Sequence, residues 1–232
     1  MQLYHSTRPR RVGRALLALG LLMLAFALAP LPAAQAKPSG NHPISIAAAR
    51  ALPLGTTVTV QGSLTVPSGA FGSGTFDQGF AIQDDTGGIY VSIATNLGLA
   101  SRRLARVTGM LADSFGLLIL VPAGPGDVRA LGHGPNVTPK RLTTGAISES
   151  SEGRLVEVVG TITQPVGDDL PYGYRLFVDD GSGEVQVFVY ASTGIDVSSL
   201  AVGQRVRVVG FSSQFDTHYE INPRIPGDIS PA

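Results

Sequence analysis

The chain of 232 residues contains no cysteine. That excludes a disulfide framework, a thiol nucleophile, a lipid-anchored cysteine and a cysteine-based zinc site. Charge is sparse too, with 17 basic and 17 acidic residues. Four of the basic residues lie in the first 36, so the remainder carries 13 basic against 17 acidic residues and a formal charge of −4. A surface of that sign does not steer itself to polyanions, which excludes a strongly basic nucleic-acid-binding class. Histidine is scarce, and two of the four, His42 and His133, fall in a terminal and a linker segment. No Gly-x-Ser-x-Gly, His-x-x-x-His or phosphate-loop pattern occurs. Ser73 and Ser182 have no base close in sequence. The chain is therefore read as non-enzymatic, with no catalytic residue and no cofactor.

One long apolar run is present. Arg8, Arg10, Arg11 and Arg14 precede Ala15–Ala29, which is apolar throughout except for Gly20, and Ala34-Gln35-Ala36 supplies small residues for cleavage. The run is too short for a membrane span and ends in Pro30-Leu31-Pro32, so residues 1–36 read as a bacterial export signal. Arg10-Arg11 points weakly to the twin-arginine route. The mature protein is expected in the periplasm or outside the cell, and not membrane-spanning once the signal is cleaved. Its 196 residues suffice for two domains of about 90 residues each.

The second half repeats the first. Gln83-Asp84-Asp85-Thr86-Gly87-Gly88-Ile89-Tyr90-Val91 aligns with Asp179-Asp180-Gly181-Ser182-Gly183-Glu184-Val185-Gln186-Val187, and Arg106-Val107-Thr108-Gly109 aligns with Arg207-Val208-Val209-Gly210. The expected organisation is a first domain over 44–131, a linker over 132–141 and a second domain over 142–230. Each copy reads as a short helical turn followed by five strands. In the first copy these are Thr57–Val66, Phe80–Gln83, Ile89–Ile93, Arg106–Leu111 and Leu117–Val121. In the second they lie near Leu155–Thr163, Tyr174–Val178, Glu184–Tyr190, Arg205–Phe211 and His218–Ile221. A partly helical connection is expected between strands three and four. Alternation turns Phe80, Ile82, Ile89, Val91 and Ile93 to one core, and Leu176, Val178, Val185, Val187 and Val189 to the other. Gly62, Gly109, Gly160 and Gly210 fit sharp bends that close a small barrel.

Asp179-Asp180-Gly181-Ser182-Gly183 with its alternating valines, and Leu200-Ala201-Val202-Gly203-Gln204-Arg205-Val206-Arg207-Val208-Val209-Gly210, resemble the hairpin and the approach to strand four of OB-fold domains of the nucleic-acid-binding type. Similar tandem modules occur in exported bacterial proteins, some of them attached to nucleases. The resemblance implies an all-β protein of two consecutive five-stranded Greek-key barrels, each with a short helical turn. It also implies a ligand surface on the outer face of strands two and three, bordered by the loops after strands one and four.

Alternation puts Arg175, Phe177, Gln186, Phe188 and Tyr190 on that face in the second copy. Rings beside an arginine suit single-stranded nucleic acid, because bases stack and phosphates pair with the cation. The first copy offers Gly79, Ala81, Tyr90, Ser92 and Ala94, of which only Tyr90 could stack a base. The alternative is a cell-envelope module that buries these rings against a protein or a glycan. Acids at the rim, Asp168 and Asp169, favour that alternative. Asp84-Asp85 and Asp179-Asp180 with Glu184 offer oxygen atoms, but not the alternating pattern of a calcium loop, and turn chemistry explains them without a metal.

Overall fold

Short runs of alternating apolar and polar residues, broken by glycine, dictate strands throughout the residues that the computed structural model describes, 42–71 and 76–232. The expected export signal lies outside them. A helical turn, α1 (Ile46–Arg50), precedes β1 (Thr57–Val66), β2 (Phe80–Gln83), β3 (Gly88–Val91), β4 (Arg103–Ser114), β5 (Leu117–Val121) and β6 (Val128–His133). The second half contains β7 (Lys140–Arg141), β8 (Leu155–Ile162), β9 (Gly167–Asp169), β10 (Gly173–Asp179), β11 (Val185–Tyr190), β12 (Arg205–Phe215), β13 (His218–Asn222) and β14 (Ile229–Pro231).

Each half closes into a five-stranded ring. In the first, β1 pairs with β2, β2 with β3, β3 with β5 in parallel, β5 with β4, and β4 with β1. In the second, β8, β10, β11, β13 and β12 pair in the same cycle. This is the OB-fold topology. Ring closure requires β1 to hydrogen-bond with one neighbour along its first half and another along its second. Gly62 sits at that switch, where a Cβ would lie 2.7 Å from the Gln83 carbonyl oxygen. Gly109, Gly160 and Gly210 meet neighbouring strands as closely, at 2.6 to 2.8 Å. The ten residues expected to face the two cores are all buried there.

Two expectations need correction. Residues 92–102 form no helix, because Asn96 folds back to accept from the Gly98 amide at 2.8 Å and Gly98 adopts φ +63°. In the second copy the same connection holds a single 3-10 turn, Ala191–Thr193, ended by Gly194 at φ +65°. Further, β6 runs through Gly132 and His133, which pair with Leu104 and Arg103, so the coil between the halves shrinks to 134–139.

The duplicated acidic hairpin has a structural role. Asp84 accepts from the amides of Ile46, Thr86 and Gly87 at 2.8–2.9 Å, and Thr86 Oγ1 accepts from Ala47. Asp180 and Ser182 do the same for the amides of Thr144 and Gly145. In both copies the hairpin thus binds the unsatisfied amides of the preceding helical turn. A hydrogen bond from the Ser182 hydroxyl, with others from the Thr144 hydroxyl and the Ser182 and Thr144 amides, holds Asp180 at about 2. Its contribution to stability is present above the usual carboxylate range and is lost as pH falls through that value.

The barrels share a seam within one compact unit. Val66, Phe71, Ala81, Tyr90, Leu117 and Ile119 of the first pack with Phe211 of the second, and Tyr190 lies against them. Arg50 reaches Glu152 at 2.8 Å and Glu149 at 3.1 Å. Glu152 also accepts from the Leu118 amide, yet burial raises its pKa despite the pull of Arg50. Gln83 accepts from the Leu155 amide at 2.8 Å, and Arg224 donates to the Thr65 carbonyl at 2.7 Å. Gly88 and Gly153 touch backbone to backbone, so that a Cβ on either would lie about 2 Å from the other's carbonyl oxygen.

Gly88→Ala is expected to cost at least about 2 kcal/mol, because the added methyl has no room and the seam must part. Gly124→Ala, with open space around it, is expected to be near neutral; chemical denaturation of both variants checks this. Asp84→Ala should cost about 1–2 kcal/mol through loss of the hydrogen bonds to the Ile46, Thr86 and Gly87 amides, and the same denaturation series measures it.

Candidate ligand face of the second barrel

The outer face of the second barrel is assembled in cross-strand rows. Pairing on β10 and β11 sets Arg175 opposite Phe188 and Phe177 opposite Gln186, and Gly173 opposite Tyr190. Parallel pairing of β11 with β13 places Glu220 beside Gln186, and antiparallel pairing with β12 adds Ser213 to that row. One row therefore reads Phe177, Gln186, Glu220, Ser213. The row beside it holds Arg175 and Phe188, then Asn222 opposite Phe211. Val185, Val187 and Val189 lie beneath, in the core. The valine alternation drives these rings outward, because Val185, Val187 and Val189 take the inward positions of the strand.

Arg175 is exposed and Phe177, Gln186 and Phe188 are half-buried. No ion pair is formed by Arg175 among the described residues. Gln186 Nε2 donates to Glu220 Oε2 at 2.7 Å and lies 3.2 Å from His218 Nε2. Asn222 Nδ2 donates to the other carboxylate oxygen of Glu220 at 2.9 Å. Glu220 is thus buried and bonded on both oxygens, and it holds the Gln186 amide in one orientation. The same carboxylate raises the His218 pKa, chiefly by its hydrogen bond and charge, with Asp216 adding to the effect against some desolvation.

Two of the sequence-derived site residues do not face open water. Tyr90 is 1% exposed. Its hydroxyl lies 2.8 Å from both the Phe71 carbonyl and Asp77 Oδ1, and burial followed by the Asp77 charge raises its pKa far above that of a free phenol. The second barrel covers it: Phe211 lies 6.0 Å from its ring. Ala81 and Ser92 of the same face are buried too. Tyr190 is half-buried, with the Phe71 ring stacked on it at 5.0 Å and 10°. Its other neighbour is Phe188, edge-on at 4.9 Å. Burial, then Glu220 and Asp77, raises the Tyr190 pKa. Tyr190 therefore props Phe188 and offers little ring surface itself.

Glu220, Asn222 and the packing of Phe71 escape the sequence reading. His218, Glu220 and Asn222 alternate along β13 with the core residue Ile221 between the last two, and that spacing carries the signal for Glu220 and Asn222. Nothing in the glycine-rich stretch around Phe71 announces that its ring crosses to the other barrel.

No protein-family model matches the chain, and no curated protein matches it. Solved structures do. A murine DNA-binding protein bound to double-stranded DNA is 10% identical, over 75% of this chain and 96% of that one, with a TM-score of 0.40. A deletion variant of the single-stranded DNA binding protein from Thermus aquaticus is 14% identical, over 78% and 96%, at 0.28. An OBody bound to hen egg-white lysozyme is 22% identical, over 42% and 98%, at 0.34.

A proton titration of His218 followed by NMR should give a value above that of free histidine, and Glu220→Gln should return it toward the ordinary range. The stability this pair contributes is fully present below the unfolded histidine value and is lost as pH rises through the raised one.

Proposed function

We propose that this chain is an exported, non-catalytic binding protein that takes single-stranded nucleic acid weakly on the β10–β11 face. The observation that carries the reading is the register of Arg175 against Phe188, with Phe177 one row away, over a sealed valine core. Phe188 and Phe177 offer π-faces to successive bases, and Arg175 meets the phosphate between them. The Gln186 amide, held by Glu220, presents a fixed polar edge to a base. The twin face on the first barrel takes no part, since the second barrel lies on it. Binding is weak because Asp168 and Glu184 stand nearby and Arg175 is the one cation in the two cross-strand rows. The N-terminal residues 1–36 support export to the periplasm or the exterior.

A second reading is favoured by one observation: the rim carries carboxylates, Asp168 and Asp216, and Glu220 lies beneath the ring row. An envelope glycan or protein would stack on the same rings without phosphate repulsion.

Fluorescence anisotropy of the mature chain with a labelled oligonucleotide at two salt concentrations separates the two. Nucleic-acid binding predicts a shallow salt slope, about −0.7 in log–log terms for one phosphate contact. Phe188→Ala should weaken binding by about 1–3 kcal/mol. Equal affinity for wild type and variant, or salt indifference coupled to glycan binding, overturns the nucleic-acid reading.

A further inference from the structure

The β4–β5 turn carries an unusual side chain. Ser114 pairs with Leu117 across it, leaving Phe115 and Gly116 as its two central residues. Both have positive φ, +53° and +91°. A two-residue turn of this kind favours asparagine followed by glycine, because a bulky side chain strains the left-handed region. Here a phenylalanine occupies the asparagine place, and its ring is 54% exposed, so burial does not compensate for the strain. Strain of this kind persists where the surroundings impose it, and it clusters at ligand clamps.

The surroundings of Phe115 belong to the other barrel. Its ring stacks on Phe215 at 5.4 Å and 24°, and Phe215 is itself 47% exposed. The Asp216 amide donates to the Phe115 carbonyl at 2.6 Å, and Gly116 packs on the Gln214 side chain. From Phe215 the line continues to His218, 6.1 Å away, and from His218 to Gln186 on the candidate face. At the opposite rim, Phe76 is also held at positive φ, is 73% exposed and meets Tyr172 at 5.6 Å. Tyr172 directly precedes Gly173, the partner of Tyr190. Each rim of the second barrel's face thus ends in one ring from each barrel.

We infer that the first barrel completes the ligand face of the second, with Phe115 at one rim and Phe76 at the other extending the ring track so that a longer single strand stacks on both barrels. This rests on the proposed reading of that face. Stacking involves no charge, so Phe115 adds affinity without adding salt dependence. Asp113 and Asp216 beside it repel phosphate, so the strand meets this rim through its bases.

The test uses the mature full chain and labelled oligothymidylates of about four and about sixteen nucleotides, which bracket the footprints of OB folds. Phe115→Asn removes the ring and supplies the residue the turn favours, so the variant should melt no lower than wild type. It should bind the long strand about tenfold more weakly, bind the short strand unchanged, and keep the wild-type salt slope. Phe188→Ala should weaken both lengths. Loss with Phe188→Ala but none with Phe115→Asn overturns this inference and leaves the site reading standing. Equal loss on both lengths, or a changed salt slope, also overturns it. No binding of either strand to wild type overturns both.

Discussion

Everything distinctive in this molecule follows from how one barrel lies on the other. Phe71 reaches out of the first copy and stacks on Tyr190 of the second, while Phe211 of the second closes over Tyr90 of the first. Burying this aromatic cluster supplies the non-directional part of the association. The directional part comes from Arg50 with Glu152, Gln83 with the Leu155 amide, and the backbone contact of Gly88 with Gly153, which demands two glycines. Two copies of one fold thereby acquire different fates. The first copy's outer sheet becomes an interior surface, and the second copy's outer sheet stays at the boundary with water.

That asymmetry accounts for the divergence of the two copies at matched positions. Ala81 and Ser92 fit beneath a neighbouring barrel because they are small, and Tyr90 is tolerated because Phe71 and Asp77 take its hydroxyl. Phe177, Gln186 and Phe188 occupy the matching face of the second copy with larger groups that a ligand can reach. Beneath them Glu220 accepts from Gln186 on one oxygen and from Asn222 on the other, with His218 beside it, so the one buried acid of the face is satisfied within its own barrel.

Much of the fold was legible because barrel strands obey a strict period of two. Three strands of the first copy, Thr57–Val66, Phe80–Gln83 and Leu117–Val121, match their sequence limits, and the mid-strand glycines mark the corners. β4 and β12 run longer than expected, to Ser114 and Phe215, because beyond Leu111 and Phe211 each pairs with the returning strand of its hairpin, β5 or β13, through bonds that local patterning does not encode. The connection before β4 is not helical, because Asn96 and Gly98 close a turn there instead. At the site, alternation carries the direction of a side chain, but direction is not exposure. Tyr90 points away from its own core and is buried all the same, since burial there depends on a second domain some hundred residues away.

The central claim is that one of two equivalent faces is sealed and the other open. The absence of native cysteine makes thiol labelling a clean test: Ala81→Cys and Phe177→Cys each introduce a single reactive group at corresponding sheet faces. The account predicts that the thiol at 177 reacts with a soluble disulfide reagent in the native state, while the thiol at 81 reacts only as fast as the protein unfolds. Equal native-state reaction at both positions would contradict it.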